Sequence, residues 1–155
     1  MTEMRTTTMV SLLATALLAS ALAAGPARAQ EQAPRLAIEG YSPVSYFEEG
    51  HPEMGLPEFT AVYKDRTYRF TDADQLEKFE ADPEAYAPLF PNHCPYNLAL
   101  GREVRIDPTN FKIAGDDLLL FHRSEEMDGL EKWNEHDDQE ELKRRAESNY
   151  TVFEF

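Results

Sequence analysis

The chain has 155 residues and carries 29 acidic against 15 basic side chains, a formal net charge of −14 at pH 7. A surface of this sign repels the phosphates of nucleic acids and anionic lipids, so nucleic acid is excluded as a partner class. The length suits one domain with its own hydrophobic core, and it is too short for two domains that each bury a sizeable core.

The N-terminus has the three-part pattern of a cleavable secretory signal peptide. A short polar segment precedes an uncharged, Leu- and Ala-rich run over residues 10–24, which is followed by Gly25-Pro26 and Ala27-Arg28-Ala29. The run is shorter than the roughly 20 apolar residues that span a bilayer. Small residues at 27 and 29 fit the rule for signal peptidase. We therefore predict a signal peptide over residues 1–29, a periplasmic or secreted location, and no membrane segment after cleavage.

The predicted mature chain is more acidic than the whole. Removing residues 1–29 takes away Arg5, Arg28 and Glu3, which leaves 13 basic and 28 acidic side chains and a net charge of −15. We expect residues 30–36 to be a flexible polar leader. Residues 37–155 are predicted to form a single domain whose C-terminal part is acidic and helical.

Two β-hairpins are predicted along this domain. The β-prone runs 59–63 and 67–70 flank the polar residues 64–66, although the glycine typical of a tight turn is absent. The runs 110–113 and 118–121 flank residues 114–117. Short polar segments between two β-prone runs are typical of hairpins.

Short helices are predicted between and after the hairpins. Thr71 or Asp72 begins a helix whose apolar stripe is Ala73, Leu76 and Phe79. Asp82-Pro83 ends that helix and begins another. Residues 97–100 form a short helix closed by Gly101.

The C-terminal part contains two further amphipathic segments. One has an apolar face made of Met127, Leu130 and Trp133, and the polar run 134–138 interrupts it. The other has a narrower stripe made of Leu142, Ala146 and Tyr150. Together with the hairpins, these helices predict an α+β fold with a small antiparallel sheet.

Three segments, in the same order and spacing, resemble the exported YHS-domain proteins. Residues 40–47, Gly-Tyr-Ser-Pro-Val-Ser-Tyr-Phe, resemble that family's opening Gly-Tyr-Asp-Pro-Val-Ala-Tyr-Phe. Tyr-Arg-Phe at 68–70 with Phe-Glu-Ala-Asp-Pro-Glu-Ala-Tyr at 79–86 matches its middle. His-Cys-Pro-Tyr at 93–96 is similar to its later Tyr-Cys-Ala-Tyr segment. The resemblance covers about residues 37–133, and it implies a small α+β fold with a connection to metal handling.

The family's metal-binding cysteines do not carry over to this chain. Metal-handling members place cysteines in an Asp-Pro-Val-Cys turn and in a Phe-Cys-Ser-x-x-Cys helix start, and those positions here are Ser45, Thr71 and Gln75. None of these side chains is a good ligand for a soft metal ion. The chain instead has Cys94. Some similar exported members carry selenocysteine around this position, so the resemblance implies chemistry at the sulfur.

Cys94 is the only cysteine, so the chain cannot form an internal disulfide. Four roles stay open: a buried filler, an intermolecular disulfide, a metal ligand, and a redox or nucleophilic thiol. A neighbouring imidazolium at His93, or the start of the next helix, would lower the pKa of the thiol. A metal site needs further ligands, and His122 at the end of a predicted strand is the best-placed third. Cys94, His93 and His122 are therefore the candidate ligands of a copper, zinc or iron ion.

The remaining polar and aromatic residues have ordinary interpretations. His136 lies in the acidic tail, where a solvated surface is expected. Six tyrosines are interpreted as buried rings whose hydroxyls need hydrogen-bond partners, and an aromatic pocket for a small ligand is the alternative. These tyrosines are Tyr41, Tyr46, Tyr63, Tyr68, Tyr86 and Tyr96. The sequence contains no Gly-x-Ser-x-Gly motif of hydrolases and no glycine-rich phosphate-binding loop. It also contains no His-Glu-x-x-His motif of zinc proteases and no Cys-x-x-Cys motif.

The sequence thus leaves two functional hypotheses, and it gives little support to an enzyme. The first is an exported YHS-type accessory domain that handles a metal ion or thiol redox chemistry at Cys94. The alternative is a non-catalytic interaction module that docks to another protein of the cell envelope, with Cys94 buried. A concave, imidazole-lined environment favours the first, whereas a closed apolar environment favours the second.

Overall fold

The computed structural model of the chain describes residues 33–154. The predicted signal peptide and residues 30–32 of the predicted leader lie outside the described residues. Within this part of the chain there are five strands and six α-helices, in the order β1 (Arg35–Leu36), α1 (Pro43–Glu48), β2 (Leu56–Tyr63), β3 (Arg66–Phe70), α2 (Ala73–Ala81), α3 (Pro83–Tyr86), α4 (Pro95–Ala99), β4 (Phe111–Ala114), β5 (Asp117–Leu120), α5 (Gly129–Asn134) and α6 (Gln139–Glu154).

The strands form two separate sheets. β2 and β3 pair in antiparallel register, and β1 adds to β3 in parallel, which gives the order β1-β3-β2. β4 and β5 form the second, two-stranded sheet. The α+β class and both hairpins are confirmed. Two features were not predicted: the hairpins do not share one sheet, and the predicted leader contributes a strand at residues 35–36.

The turn between β2 and β3 is tighter than predicted. It contains only Lys64 and Asp65, whose φ angles are 46° and 57°. Two consecutive left-handed residues are the geometry of the two-residue turn that matches the twist of paired strands. Arg66, which the sequence assigned to the turn, is the first residue of β3.

The predicted helix starts agree with the capping contacts. The Asp72 carboxylate accepts a hydrogen bond from the Gln75 amide at the start of α2. Asp82 accepts one from the Ala85 amide at the start of α3, where a proline follows the cap. α4 begins two residues earlier than predicted, at Pro95. These caps satisfy amides that have no partner within a helix.

Two hydrophobic cores lie on opposite sides of β5. We call core 1 the cluster that includes Ile38, Val44, Tyr46, Tyr68, Phe70, Phe79, Leu118 and Leu120. Core 2 is the cluster that includes Phe90, Cys94, Leu98, Leu119, Phe121, Trp133, Leu142 and Ala146. Successive side chains of a strand point to opposite faces. The apolar run 118–121 therefore has both faces covered.

None of the helices in residues 33–154 is both long and apolar enough to cross a membrane.

Candidate functional site

Cys94 lies at the start of α4 and is completely enclosed. It is the residue before the first turn of that helix, and its exposed fraction is 0%. Its amide donates to the carbonyl oxygen of Val104 at 2.9 Å. Its Sγ accepts a hydrogen bond from Asn97 Nδ2 at 3.3 Å, and Asn97 is itself buried. The sulfur thus belongs to core 2.

Gly129 closes the space beside the sulfur. A Cβ atom at that position would lie 2.8 Å from Cys94 Sγ and 3.2 Å from the carbonyl oxygen of His122. Real Cβ atoms do not approach other heavy atoms as closely as the first of these distances. The start of α5 therefore packs directly against the thiol, and no gap remains there for a ligand.

His93 is buried beside Cys94 in sequence, but its ring is engaged elsewhere. Nδ1 lies 2.9 Å from the carbonyl oxygen of Pro91, and Nε2 lies 3.2 Å from Glu103 Oε1. Both ring nitrogens are therefore directed at these oxygens and not at the Cys94 sulfur.

His122 follows β5 and is half-buried. Its Nδ1 bonds to the carbonyl oxygen of Arg105 at 3.1 Å. The His122 carbonyl oxygen accepts a hydrogen bond from the Gly129 amide at 2.8 Å. The His122 backbone therefore lies near the residue that packs against the Cys94 sulfur. Among residues 33–154, no group of three or more His, Cys, Asp or Glu side chains is arranged to hold a metal ion. The structure therefore does not gather Cys94, His93 and His122 into one coordination cluster.

Ser45, Thr71 and Gln75, the positions compared above with the family's cysteines, are linked by hydrogen bonds that pass through Ser42 and Glu53. Gln75 Oε1 accepts bonds from Ser42 Oγ at 2.6 Å and from the Thr71 amide at 3.4 Å. Ser45 Oγ donates to the Ser42 carbonyl oxygen and accepts from the Glu53 amide. Gln75 Nε2 donates to the Glu53 carboxylate at 3.3 Å. In this chain the region is a hydrogen-bonded polar cluster that joins the start of α1 to α2.

A concave feature lies between the two hairpin turns. It is a cavity of about 410 Å³ whose wall includes the end of the first hairpin, the segment from α3 to Pro91, the turn of the second hairpin, and Tyr150 on α6. Its polar lining consists of Tyr63, Lys64, Arg66, Tyr68, Glu84, Asp116, Asp117 and Tyr150. The cavity is therefore a mixed polar and aromatic site, separate from Cys94.

Arg66 and Tyr68 are the buried polar residues of this cavity. Their exposed fractions are 3% and 1%. They are alternate residues of β3 and so lie on the same face of the strand. Burial raises the pKa of the Tyr68 hydroxyl well above its usual value of 10, and the Arg66 charge opposes this only in part. The hydroxyl consequently stays protonated and able to donate at neutral pH.

Arg66 is the residue that the sequence did not single out. Arg66, Tyr68 and Phe70 alternate along β3 and are all buried. An arginine at the start of a strand is usually exposed, however, so the sequence alone did not mark Arg66 as buried. Tyr63 and Tyr68 belong to the tyrosines for which an aromatic pocket was the alternative interpretation, and both line the cavity.

Comparison with known proteins adds no relative: no family model matches the sequence, and neither a curated protein nor a solved structure matches it. The likeness to exported YHS-domain proteins therefore stays a prediction from the sequence motifs.

Proposed function

We propose that the chain is an exported YHS-type accessory domain that docks to another protein of the cell envelope, catalyses no reaction, and uses Cys94 as a buried structural residue. The observation that carries this proposal is the environment of the sulfur. It is fully buried in core 2, it accepts a hydrogen bond from Asn97, and Gly129 packs against it.

Metal and thiol handling have less support from the geometry. A reactive cysteine needs a thiolate form and access for its reaction partner, whereas a buried cysteine in apolar surroundings behaves as a small hydrophobic residue. The His93 ring is held by Pro91 and Glu103, so it offers no base to the sulfur in this arrangement. The docking role requires neither solvent access to Cys94 nor an available imidazole.

The negative charge of the chain favours a partner with a basic surface. With a net charge of −15 on the predicted mature chain, a basic surface on the partner would accelerate encounter and orient the complex. Large apolar side chains stay exposed at several separate places, among them Met54, Val62 and Val152. These positions offer sites at which a contact with a partner can be detected.

The thiol part of the proposal is tested by alkylation with iodoacetamide. We expect no modification of Cys94 in the native protein and rapid modification after unfolding in guanidinium, because the sulfur has no solvent contact. Elemental analysis of the untagged protein and of Cys94→Ser should give the same metal content. Fast alkylation of the native protein, or copper, zinc or iron lost in the variant, would instead favour thiol or metal handling.

The docking part is tested by photocrosslinking in the native cell envelope. A photoreactive amino acid replaces Met54, Val62 or Val152, one position at a time. At least one position should give a discrete adduct with a second envelope protein, and the adduct should persist when Cys94→Ala is added. Absence of an adduct at every position, or its disappearance with a folded Cys94→Ala variant, would contradict the proposal.

A further inference from the structure

β2 forms an edge of the first sheet, and one of its sides has no neighbouring strand. Within residues 33–154 it pairs with β3 alone, and each of its eight residues is exposed or half-buried. We infer that two copies of the chain associate through this edge, so that β2 of one copy pairs antiparallel with β2 of the other around a twofold axis at Ala61. This inference goes beyond the proposed docking to another envelope protein and does not depend on it.

The backbone of β2 offers hydrogen-bonding groups on its open side. The two-residue turn makes Tyr63 and Arg66 the hydrogen-bonded pair that closes the hairpin. Because such pairs alternate along an antiparallel ladder, Thr60 and Val62 direct their N–H and C=O groups away from β3. With the axis at Ala61, Thr60 of each copy lies opposite Val62 of the other. The open groups then face each other, and the two edges exchange backbone hydrogen bonds.

The charged side chains near the ends of this segment select the register. With the axis at Ala61, Glu58 of each copy lies opposite Lys64 of the other, so the pairing occurs twice in the dimer. Opposite charges that face each other across paired strands are stabilising, whereas like charges are destabilising. An axis one residue to either side places neither charge opposite the other. The segment 58–64 is therefore complementary to itself in this register, which makes a second copy the occupant that fits the edge.

Both charged side chains lie at the surface, where a second copy can contact them. Glu58 is exposed. The side chain of Lys64 is 70% exposed, and its Nζ lies 3.5 Å from Glu84 Oε1 and 4.8 Å from the centre of the Tyr63 ring. An ammonium group has three donors, and an exposed ion pair of this kind contributes little stability. Contact with Glu58 of the second copy therefore does not require Lys64 to give up a strong partner.

Apolar and aromatic side chains add to the fit. Val62 is 62% exposed in the single chain, and pairing with Thr60 of the second copy covers it in part. In the proposed register Phe59 lies opposite Tyr63 of the second copy, and both rings lie on the side of the sheet that packs against core 1. Aromatic pairs across neighbouring strands stabilise a sheet. The association thus joins the first sheets of the two copies into one continuous sheet.

The first test measures the mass of the full mature chain by sedimentation equilibrium over a range of concentrations. Pro57 and the register shift before Thr60 keep the paired edge short, so we expect a reversible dimer with a dissociation constant in the micromolar range. Each copy has a net charge of −15, so the ionic strength is set at about 0.15 M, where exposed charges more than about 8 Å apart are largely screened. A monomer mass at protein concentrations up to about 1 mM overturns the inference.

The second test exchanges the charges of the proposed pair. Glu58→Lys alone and Lys64→Glu alone place like charges opposite each other twice, and each should weaken dimerisation about tenfold. A mixture of the two variants restores both opposite pairs and should form mixed dimers about as tightly as the wild type dimerises. Asp137→Lys is the control for Glu58→Lys, because it changes the net charge equally at an exposed position outside β2. Equal dimerisation of Glu58→Lys and this control, or no preference for mixed dimers, overturns the inference.

A disulfide test locates the twofold axis. Directly opposite residues that exchange no hydrogen bonds have Cα atoms about 4.5 Å apart, a distance that a disulfide can bridge. Ala61→Cys should therefore crosslink two copies rapidly under mild oxidation, and the fully buried Cys94 should take no part. Val62→Cys is the matched control, because residue 62 is more exposed but lies two residues along the strand from its counterpart, too far for a disulfide. Equal or faster crosslinking of Val62→Cys overturns the inference.

Discussion

At the scale of single residues, Gly129 packs against the Cys94 sulfur without room for a side chain. The sulfur fills the space between the start of α4 and the start of α5, where a Cβ atom on Gly129 would be only 2.8 Å away. An alanine at the first position of a helix is otherwise favourable. Glycine is thus required here by the size of the sulfur and not by a special backbone conformation.

A double-mutant cycle tests that contact. Gly129→Ala should lower the free energy of unfolding by about 1–3 kcal/mol, because a well-packed core must shift to admit the methyl group. In a Cys94→Ala background the same change should cost clearly less, with a remainder from the His122 carbonyl oxygen at 3.2 Å. Urea unfolding followed by the fluorescence of Trp133 measures all four proteins. An equal cost in both backgrounds would show that the sulfur does not limit the space.

At the scale of secondary-structure elements, Asp128 joins the start of α5 to the second hairpin. Its Oδ1 accepts bonds from Asn110 Nδ2 at 2.9 Å and from the amides of Leu130 and Glu131. Its Oδ2 accepts from Arg123 Nε at 3.3 Å. The pKa of Asp128 lies below its usual value of 3.8 mainly because its carboxylate accepts the hydrogen bond from Asn110. The hydrogen bonds from the two helix amides and from Arg123 lower this pKa further.

These contacts predict a dependence of stability on pH. Because the folded pKa of Asp128 lies below the unfolded value of 3.8, its contribution is fully present above that value and is lost as the pH falls through the folded pKa. Asp128→Asn should therefore unfold more easily at pH 6, and the difference from the wild type should shrink from about pH 4 downward. Urea midpoints between pH 6 and pH 3 measure this. Asp137→Asn is the exposed control, and a constant difference for Asp128→Asn would contradict the prediction.

The elements also show which parts of the fold were predictable from the sequence. Both hairpins and the helix starts at Asp72 and Asp82 followed from local patterns, because turns and caps are made by neighbouring residues. β1 was not predicted, since a two-residue strand has no periodicity and depends on its pairing with β3. The helix α1 was also missed; its N-cap residue Ser42 makes no side-chain capping hydrogen bond, whereas Asp72 and Asp82 do.

The candidate site was less predictable than the fold. Cys94 and His93 were identified as adjacent residues, but sequence adjacency does not determine where side chains point. The Cys94 sulfur is held by Asn97, whereas the His93 ring bonds to Pro91 and Glu103. The cavity around Arg66 depends on the approach of the two hairpin turns, which lie about fifty residues apart. Such long-range packing leaves no local signature beyond the alternation along β3.

At the scale of the whole described domain, β5 holds the two cores together. Leu118 and Leu120 contribute to core 1, and Leu119 contributes to core 2. All three have exposed fractions of 1% or less. Neighbouring residues of this strand pack into different cores. If packing is lost in one core, the strand is displaced and the other core loses the side chains that the strand contributes to it. We therefore expect the two cores to unfold together.

Two alanine variants of β5 test this coupling. Leu120→Ala and Leu119→Ala should each lower the free energy of unfolding by about 2–5 kcal/mol, because each leaves a cavity in its own core. The fluorescence of Trp133 reports on core 2, and the methyl NMR signals of Val44 report on core 1. In each variant both probes should give the same shifted urea midpoint, as a two-state transition requires. Ile113→Ala on β4, where the side chain is exposed, is the control and should shift both midpoints only slightly. A variant that shifts only the probe of its own core would show that the cores unfold independently.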